Sequence, residues 1–215
     1  MRDEIKRRET PKDRMIDDII DIEWNMFDKV NNAGGRAACQ DDWWTFYAMR
    51  FSQFSSFPEN VLASYRQDLE EAKNAGRNLL TEKYAYMMEF TEPDYFDSVL
   101  KKNLPPVSPI KEEMVDRIAN ILIGCEQEFV RRYPGLGSKS RPVVGTGGGD
   151  VSFHVYTIGE LKTYSERTLS LMSSYLSGLD TSSELENPSF VIHAATVGFY
   201  GYESLDSAEA AIVRS

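Results

Sequence analysis

Several polar side chains interrupt the apolar faces of the helices that this sequence predicts. The densest case is Lys83, which lies on a helical stripe with Leu79 and Phe90. Burial disfavours the charged form of a lysine, and catalytic lysines arise in this way. We therefore expect Lys83 either to act as a general base or nucleophile, or to form an ion pair with a carboxylate such as that of Glu23.

Arginines provide a second chemical signal. Arg50 shares a predicted helix face with aromatic residues, so its guanidinium can stack on them and still bind a carboxylate with its fork. A structural salt bridge or cation–π contact is the alternative interpretation. Other arginines and amides flank the same segments, and the predicted substrate-binding residues are Arg36, Arg50, Gln53, Arg77, Asn78 and Thr168.

Further candidates for proton transfer follow from the same pattern. Glu23 occupies a hydrophobic position, where a carboxylate must be paired or protonated. Tyr164 lies on a packed face. Cys39 precedes a predicted helix N-terminus and is close to Arg36, and the positive end of the helix and the arginine both favour a cysteine thiolate. Ion pairs and hydrogen bonds to helix carbonyls would explain the same placements without catalysis. The predicted catalytic residues are Lys83, Glu82, Tyr84, Tyr164, Glu23 and Cys39.

Metal and cofactor motifs are missing from the sequence. The two histidines, His154 and His193, are far apart and belong to no Glu-x-x-His pattern, so we expect no metal. The segment from Gly145 to Asp150 is glycine-rich but lacks the Gly-Lys-Ser/Thr ending of a phosphate-binding loop. We expect a flexible loop or lid there, and no cofactor.

Helix signals run along most of the chain. Thr10 and Pro11 predict the first helix start, and similar caps, periodic stripes and glycine stops predict about eight helices in total. The fold class is therefore all-α, with residues 1–9 as a charged tail and 10–215 as a single helical bundle. The alternation at 151–156 predicts at most a small extended ribbon. The segment Thr157–Glu160 is expected to be a capping box that opens the next helix.

Composition and net charge limit the kinds of partner that this chain can bind. The 215-residue chain has a net charge of −10 and a pI near 4.8, so it repels phosphate backbones and anionic membranes. We expect no nucleic acid and no membrane as partners. Two cysteines are too few for a disulfide framework, and the basic N-terminus lacks the apolar stretch of a secretory signal. The expected location is the cytoplasm, and the sequence carries no signal of oligomeric state.

Several motifs resemble a bacterial family called domain of unknown function 4125. They are Asn32-Ala-Gly-Gly-Arg-Ala-Ala-Cys-Gln-Asp-Asp42, Arg50-Phe-Ser-Gln-Phe54, Gly76-Arg-Asn-Leu-Leu-Thr-Glu-Lys-Tyr-Ala85, Gly159-Glu-Leu-Lys-Thr-Tyr-Ser165 and Tyr200-Gly-Tyr202. The resemblance covers roughly residues 15–205. It implies no particular activity, but it places the polar residues found by periodicity within family motifs.

The sequence therefore leads to two functional hypotheses. The first is a cofactor-independent enzyme that acts on a small carboxylated metabolite, with amino acids as one such class, through acid/base chemistry of lyase, isomerase or transferase type. The second is a non-catalytic helical module that binds a small ligand or regulates another process. In both, arginine holds the carboxylate of the ligand.

Overall fold

The structure is a computed structural model of the 215-residue chain that describes residues 9–31, 35–145 and 151–214. Within these ranges eleven α-helices form one helical fold, 73% of the described residues are helical, and there is no strand. The all-α class is confirmed, with more helices than the eight expected. In chain order they are α1 (Pro11–Phe27), α2 (Trp43–Ser55), α3 (Glu59–Asn74), α4 (Leu79–Thr91), α5 (Pro93–Tyr95), α6 (Pro109–Arg132), α7 (Pro134–Lys139), α8 (Phe153–Leu161), α9 (Glu166–Leu176), α10 (Pro188–Phe199) and α11 (Leu205–Val213). Short 3₁₀ or π turns occupy Ala38–Asp41, Phe96–Leu100 and Lys101–Asn103.

Most helix starts lie where side-chain caps predict them. Thr10 and Asp13 form a capping box at α1, and the Asp42 side chain accepts from the backbone N–H of Thr45 at α2. Ser108 caps α6, with Pro109 at its first position. Each cap satisfies a backbone donor that a helix N-terminus leaves unpaired.

Two local predictions around α8 are wrong. Residues 151–156 do not form an extended ribbon, because the Ser152 side chain caps a helix that begins at Phe153. The segment Thr157–Glu160 is not a capping box either, since it lies inside α8. The next helix, α9, starts at Glu166 with Ser165 as its cap. The helix predicted to begin at Thr157 is therefore two helices, α8 and α9, joined by a short turn.

Other differences are smaller. The spacing of Ser56 and Glu59 also predicts a capping box, but none forms, because Pro58 is the N-cap of α3 and makes no side-chain cap. The glycine-rich stretch from Pro134 onward is predicted to be a loop, but it begins with the short helix α7. The charged tail over residues 1–8, the motif residues 32–34 and the loop residues 146–150 lie outside the described residues.

The helices enclose two apolar cores. The larger core draws on α1 to α4, α6, α8 and α9, and its fully buried side chains include Ile20, Phe54 and Leu169. The smaller core packs α6, α7, α10 and α11 around Phe129 and Phe190. None of the described helices is both long and apolar enough to cross a membrane.

Candidate functional site

Charged and phenolic side chains from five helices meet inside the larger core. We call this group the buried charge cluster, and each member is buried except Gln53, which is partly exposed. Glu23 comes from α1, Arg50 and Gln53 from α2, Tyr65 from α3, Lys83 from α4 and Glu160 from α8, while Tyr164 follows α8. The two carboxylates balance the two cations, which is the condition for burying charge at tolerable cost.

Arg50 joins the two carboxylates. Its Nε and Nη2 donate to Glu23 at 2.7 and 2.5 Å, which is a bidentate pair. Its Nη1 donates to Glu160 Oε2 at 3.0 Å and to the side-chain oxygen of Gln53 at 2.6 Å. The guanidinium also lies 4.5 Å from the ring centroid of Phe54. Every nitrogen of the fork therefore has an acceptor.

Glu160 is the centre of the cluster. Its carboxylate accepts from Arg50, from Lys83 Nζ at 2.5 Å, from the amide of Gln53 at 2.6 Å and from the hydroxyl of Tyr164 at 2.9 Å. Burial would raise the pKa of Glu160, but Arg50 and Lys83 outweigh burial and hold that pKa well below its ordinary value of 4.5. Glu160 is therefore ionised at neutral pH.

The tyrosines of the cluster keep their protons. Burial is the main cause that raises the pKa of Tyr164 well above 10.0, and the Glu160 charge adds to it. Burial and the Glu23 charge do the same to the pKa of Tyr65, whose hydroxyl donates to Glu23 at 2.6 Å. Both phenols act as hydrogen-bond donors to a carboxylate.

Lys83 has fewer hydrogen-bond acceptors around it, in the described part of the chain, than its ammonium has donors. Its ammonium, 2% exposed as a residue, donates to Glu160 and lies 3.4 Å from the ring centroid of Tyr156. Within the described ranges, Glu160 is its one hydrogen-bond acceptor. An ammonium carries three N–H donors, so Lys83 has more donors than the described residues accept from it.

A close crossing of α4 and α8 brings Lys83 to Glu160. A Cβ at Gly159 would lie 2.5 Å from Cγ of Met87 and 2.9 Å from the backbone oxygen of Lys83. Only glycine allows the two backbones to approach this closely. The glycine is adjacent to Glu160, so the crossing and the ion pair occupy the same turn of α8.

Tyr84, Tyr156 and Arg141 lie along the outer side of the cluster, which we call the cluster edge. Tyr84 and Tyr156 are partly exposed, and Arg141 is exposed with its guanidinium 4.8 Å from the Tyr156 ring centroid. Burial raises the pKa of Tyr84, and the neighbouring Tyr156 and Cys39 add to that rise while Arg50 and Arg141 oppose it. The edge therefore shares the electrostatic field of the cluster.

Some of the sequence-predicted residues lie in the cluster and others do not. Glu23, Arg50, Gln53, Lys83 and Tyr164 are in it, and Tyr84 lies at its edge. Arg77 and Glu82 lie outside the cluster. The guanidinium of Arg77 binds the Glu82 carboxylate, and the Arg77 side chain is 42% exposed.

The remaining predicted residues have local structural partners. Arg36 is exposed and binds Asp28 and Asp41, close to Cys39, which is also exposed. Asn78 caps α4, and its amide donates to the backbone oxygen of Met26. Thr168 bonds to Ser64 and Asp68 between α3 and α9.

Sequence reasoning missed Glu160, Tyr65, Tyr156 and Arg141. The spacing from Thr157 predicts Glu160 as part of a capping box, but its apolar neighbours Ile158 and Leu161 are the signal that this turn is buried. Tyr65 shares the stripe of Leu62 and Leu69 on α3, so its position resembles that of any core aromatic. Arg141 belongs to a loop, where periodicity has no meaning.

Two cavities on the surface lie away from the cluster. Two surface cavities of about 440 Å³ are lined by residues of α6 with Thr181 and Ser182, and by Met15 with residues of α3. Neither is lined by a member of the cluster. Among the residues with described positions, no group of three or more His, Cys, Asp or Glu is placed to hold a metal ion.

The fold and site together define an all-helical protein with a charge-balanced network in its core. The model of the family described as protein of unknown function (DUF4125) matches residues 13–210, and the chain belongs to that family. No curated protein and no solved structure matches the chain.

Proposed function

We propose that this chain is a cofactor-independent enzyme that acts on a small carboxylated metabolite by acid/base chemistry. One observation carries the proposal. The buried ammonium of Lys83 has a single hydrogen-bond acceptor within the described part of the chain and lies beside the partly exposed Tyr156. A ligand carboxylate that enters at the cluster edge can therefore bind an ammonium that the fold already orients.

Each residue has a distinct part in the proposed site. Lys83 binds the ligand and is the group that exchanges protons with it, because Tyr164 holds its proton and Glu160 holds its charge. Glu160 and Arg50 orient Lys83 from behind. Tyr84 and Tyr156 donate hydrogen bonds from the edge. Lyase, isomerase and transferase reactions are all compatible with these roles.

A second candidate is a ligand-binding module without catalysis. It is favoured by the completeness of the ion-pair network, in which the low pKa of Glu160 and the raised pKa of Tyr65 both oppose proton transfer. A general base works best with a pKa near the working pH, and neither of these two groups has one. Turnover of a bound ligand separates the two candidates.

The test combines binding with consumption. Amino acids, 2-oxo acids and short carboxylates are screened by the shift in melting temperature, and each binder is then followed by ¹H NMR for conversion. Lys83→Met should abolish both signals. Tyr156→Phe, which removes one partly exposed hydroxyl, should remain folded and weaken binding several-fold. Lys139→Met, at an exposed lysine on α7, is the matched control.

The outcomes are distinct. Conversion that is lost in Lys83→Met, while circular dichroism shows that this variant is folded, and that is kept in Lys139→Met supports the enzyme. Binding without conversion supports the module. A panel in which no carboxylate shifts the melting temperature, or binding that Lys83→Met and Tyr156→Phe both leave intact, contradicts a site at the cluster edge.

We further propose a cytoplasmic location and no nucleic acid partner. The acidic net charge of −10 opposes phosphate backbones, and Cys39 and Cys125 are both free thiols. Fractionation of cells that express the tagged chain tests the location.

A further inference from the structure

The cluster edge carries one positive charge more than the buried carboxylates can neutralise. Glu23 and Glu160 balance Arg50 and Lys83, so the core of the site is neutral. Arg141 stands outside this balance, and it has no carboxylate partner within residues 9–31, 35–145 and 151–214. A cation that has no carboxylate partner among the described residues, next to a proposed ligand site, is a candidate to bind the ligand.

The backbone holds Arg141 at this position. The two residues that follow it, Pro142 and Val143, accept hydrogen bonds from the backbone N–H groups of Phe153 and His154 at 2.8 and 3.0 Å. These donors belong to the first turn of α8, which leaves such groups unpaired within the helix. The loop is thus tied to the same helix that carries Tyr156 and Glu160.

Arg141 and Lys83 lie against one ring. The guanidinium carbon is 4.8 Å, and the ammonium 3.4 Å, from the ring centroid of Tyr156. The two cationic groups therefore share one aromatic neighbour, and a small ligand that carries two acidic groups can contact both beside it. The phenol oxygens of Tyr84 and Tyr156 have no hydrogen-bond partner in the described residues, and neither is among the buried unpaired atoms, so both are open to a ligand.

We propose that the ligand of this site carries a second anionic group that binds Arg141, while its first carboxylate binds Lys83. This inference rests on the proposed function and narrows its substrate class from carboxylates to compounds with two acidic groups. The planar fork of arginine binds a carboxylate or a phosphate through two parallel hydrogen bonds. In a chain whose net charge is −10, an arginine beside a lysine, with no carboxylate partner in the described part of the chain, is a local reversal of sign that selects for such a ligand.

The experiment measures affinity for matched pairs of compounds by calorimetry. The pairs are glutamate with norvaline, glutarate with valerate, and O-phosphoserine with serine, and in each pair the first compound adds one acidic group. The protein is the full chain, compared with Arg141→Gln and with the control Arg131→Gln. Arg131 is exposed and pairs with Glu128 at 2.6 Å, away from the cluster. Both substitutions are at exposed positions and should leave the fold intact.

The full chain should bind the acidic member of at least one pair roughly tenfold more tightly than its partner. Arg141→Gln should remove that preference, and Arg131→Gln should keep it. The carboxylate pairs and the phosphate pair show which anionic group Arg141 selects. The inference fails alone if neutral members bind as tightly as acidic ones, or if the preference survives in Arg141→Gln. It fails together with the proposed function if no compound of any pair binds.

Discussion

Two lysine–glutamate pairs connect the same two segments in different surroundings. Lys83 on α4 binds Glu160 on α8 at 2.5 Å, and Lys162, directly after α8, binds Glu89 on α4 at 2.6 Å. The side chains of the first pair are 3% and 5% exposed, and those of the second are 7% and 37% exposed. The chemistry and the helices are the same, but the two pairs differ in their access to solvent.

Burial changes what each pair does for the fold. The inner pair cannot be hydrated, so its charges must be satisfied by Arg50, Tyr164 and each other. The outer pair has Glu112 as a second carboxylate at 3.0 Å from Lys162 Nζ, and water reaches its acidic partners. We expect the inner pair to be indispensable and the outer pair to be nearly neutral.

The largest expected effect is that of Glu160→Gln. The substitution keeps the size of the side chain but leaves Arg50 and Lys83 facing Glu23 alone, with one buried positive charge uncompensated. The free energy of unfolding should fall by about 3–5 kcal/mol. Urea denaturation followed by circular dichroism measures it. A loss below about 1 kcal/mol would mean that water reaches the inner pair.

Gly159→Ala should have the next largest effect. The added methyl would lie 2.9 Å from the Lys83 backbone oxygen and 2.5 Å from Met87 Cγ, so α4 and α8 must separate. Overpacking of this kind costs about 1–3 kcal/mol. The matched control is Gly124→Ala in α6, where a Cβ meets no atom within 4 Å and should stabilise the helix by up to about 1 kcal/mol. Equal effects at the two glycines would contradict the close crossing.

The pH dependence should separate the two pairs at opposite ends of the scale. The pKa of Glu160 is lower in the folded protein than the ordinary 4.5, so its contribution is present above pH 4.5 and is lost as the pH falls below it. Burial lowers the pKa of Lys162, but bonds to Glu89 and Glu112 outweigh burial and raise it above 10.5. Its contribution is therefore present below pH 10.5 and is lost as the pH rises.

Unfolding midpoints over this pH range provide the measurement. Glu160→Gln should flatten the acid side of the stability curve relative to the full chain, and Lys162→Met should flatten the alkaline side. If each variant changes the other side of the curve, the assignment of the two pairs is wrong.

Glu89→Gln should have the smallest effect. Its carboxylate is 37% exposed, and Lys162 retains Glu112 as a partner. A partly exposed pair contributes about 0–1 kcal/mol, so the free energy of unfolding should stay within about 1 kcal/mol of the original value. A loss as large as that of Glu160→Gln would remove the contrast between the inner and outer pairs.

The sequence predicts the helices well and the cluster only in part. The bounds of α6 follow from Ser108, Pro109 and an unbroken apolar stripe, all of which are local signals. Glu23, Arg50 and Lys83 stand out because each interrupts such a stripe. Their pairing could not be predicted, since the choice of Glu160 over Glu23 as the partner of Lys83 depends on how α4 and α8 cross.

Errors at α8 show a second limit. The spacing of Thr157 and Glu160 suits a capping box, but a cap is useful only where a helix begins, and Ser152 begins this one earlier. Because the spacing places the helix start at Thr157, it predicts Glu160 as a cap residue rather than as a buried member of the cluster. Arg141 could not be found because its position depends on backbone bonds from α8 to the loop.

The long sequence separations within the buried charge cluster have a consequence for folding kinetics. Arg50 and Glu160 are 110 residues apart, and without Glu160 the group of Glu23, Arg50 and Lys83 carries one uncompensated positive charge. Dehydration of such a partial cluster is costly, so the transition state should keep these groups hydrated until α8 docks. Variants in the cluster should then accelerate unfolding and leave the refolding rate almost unchanged, which makes this network a determinant of how long the native state lasts.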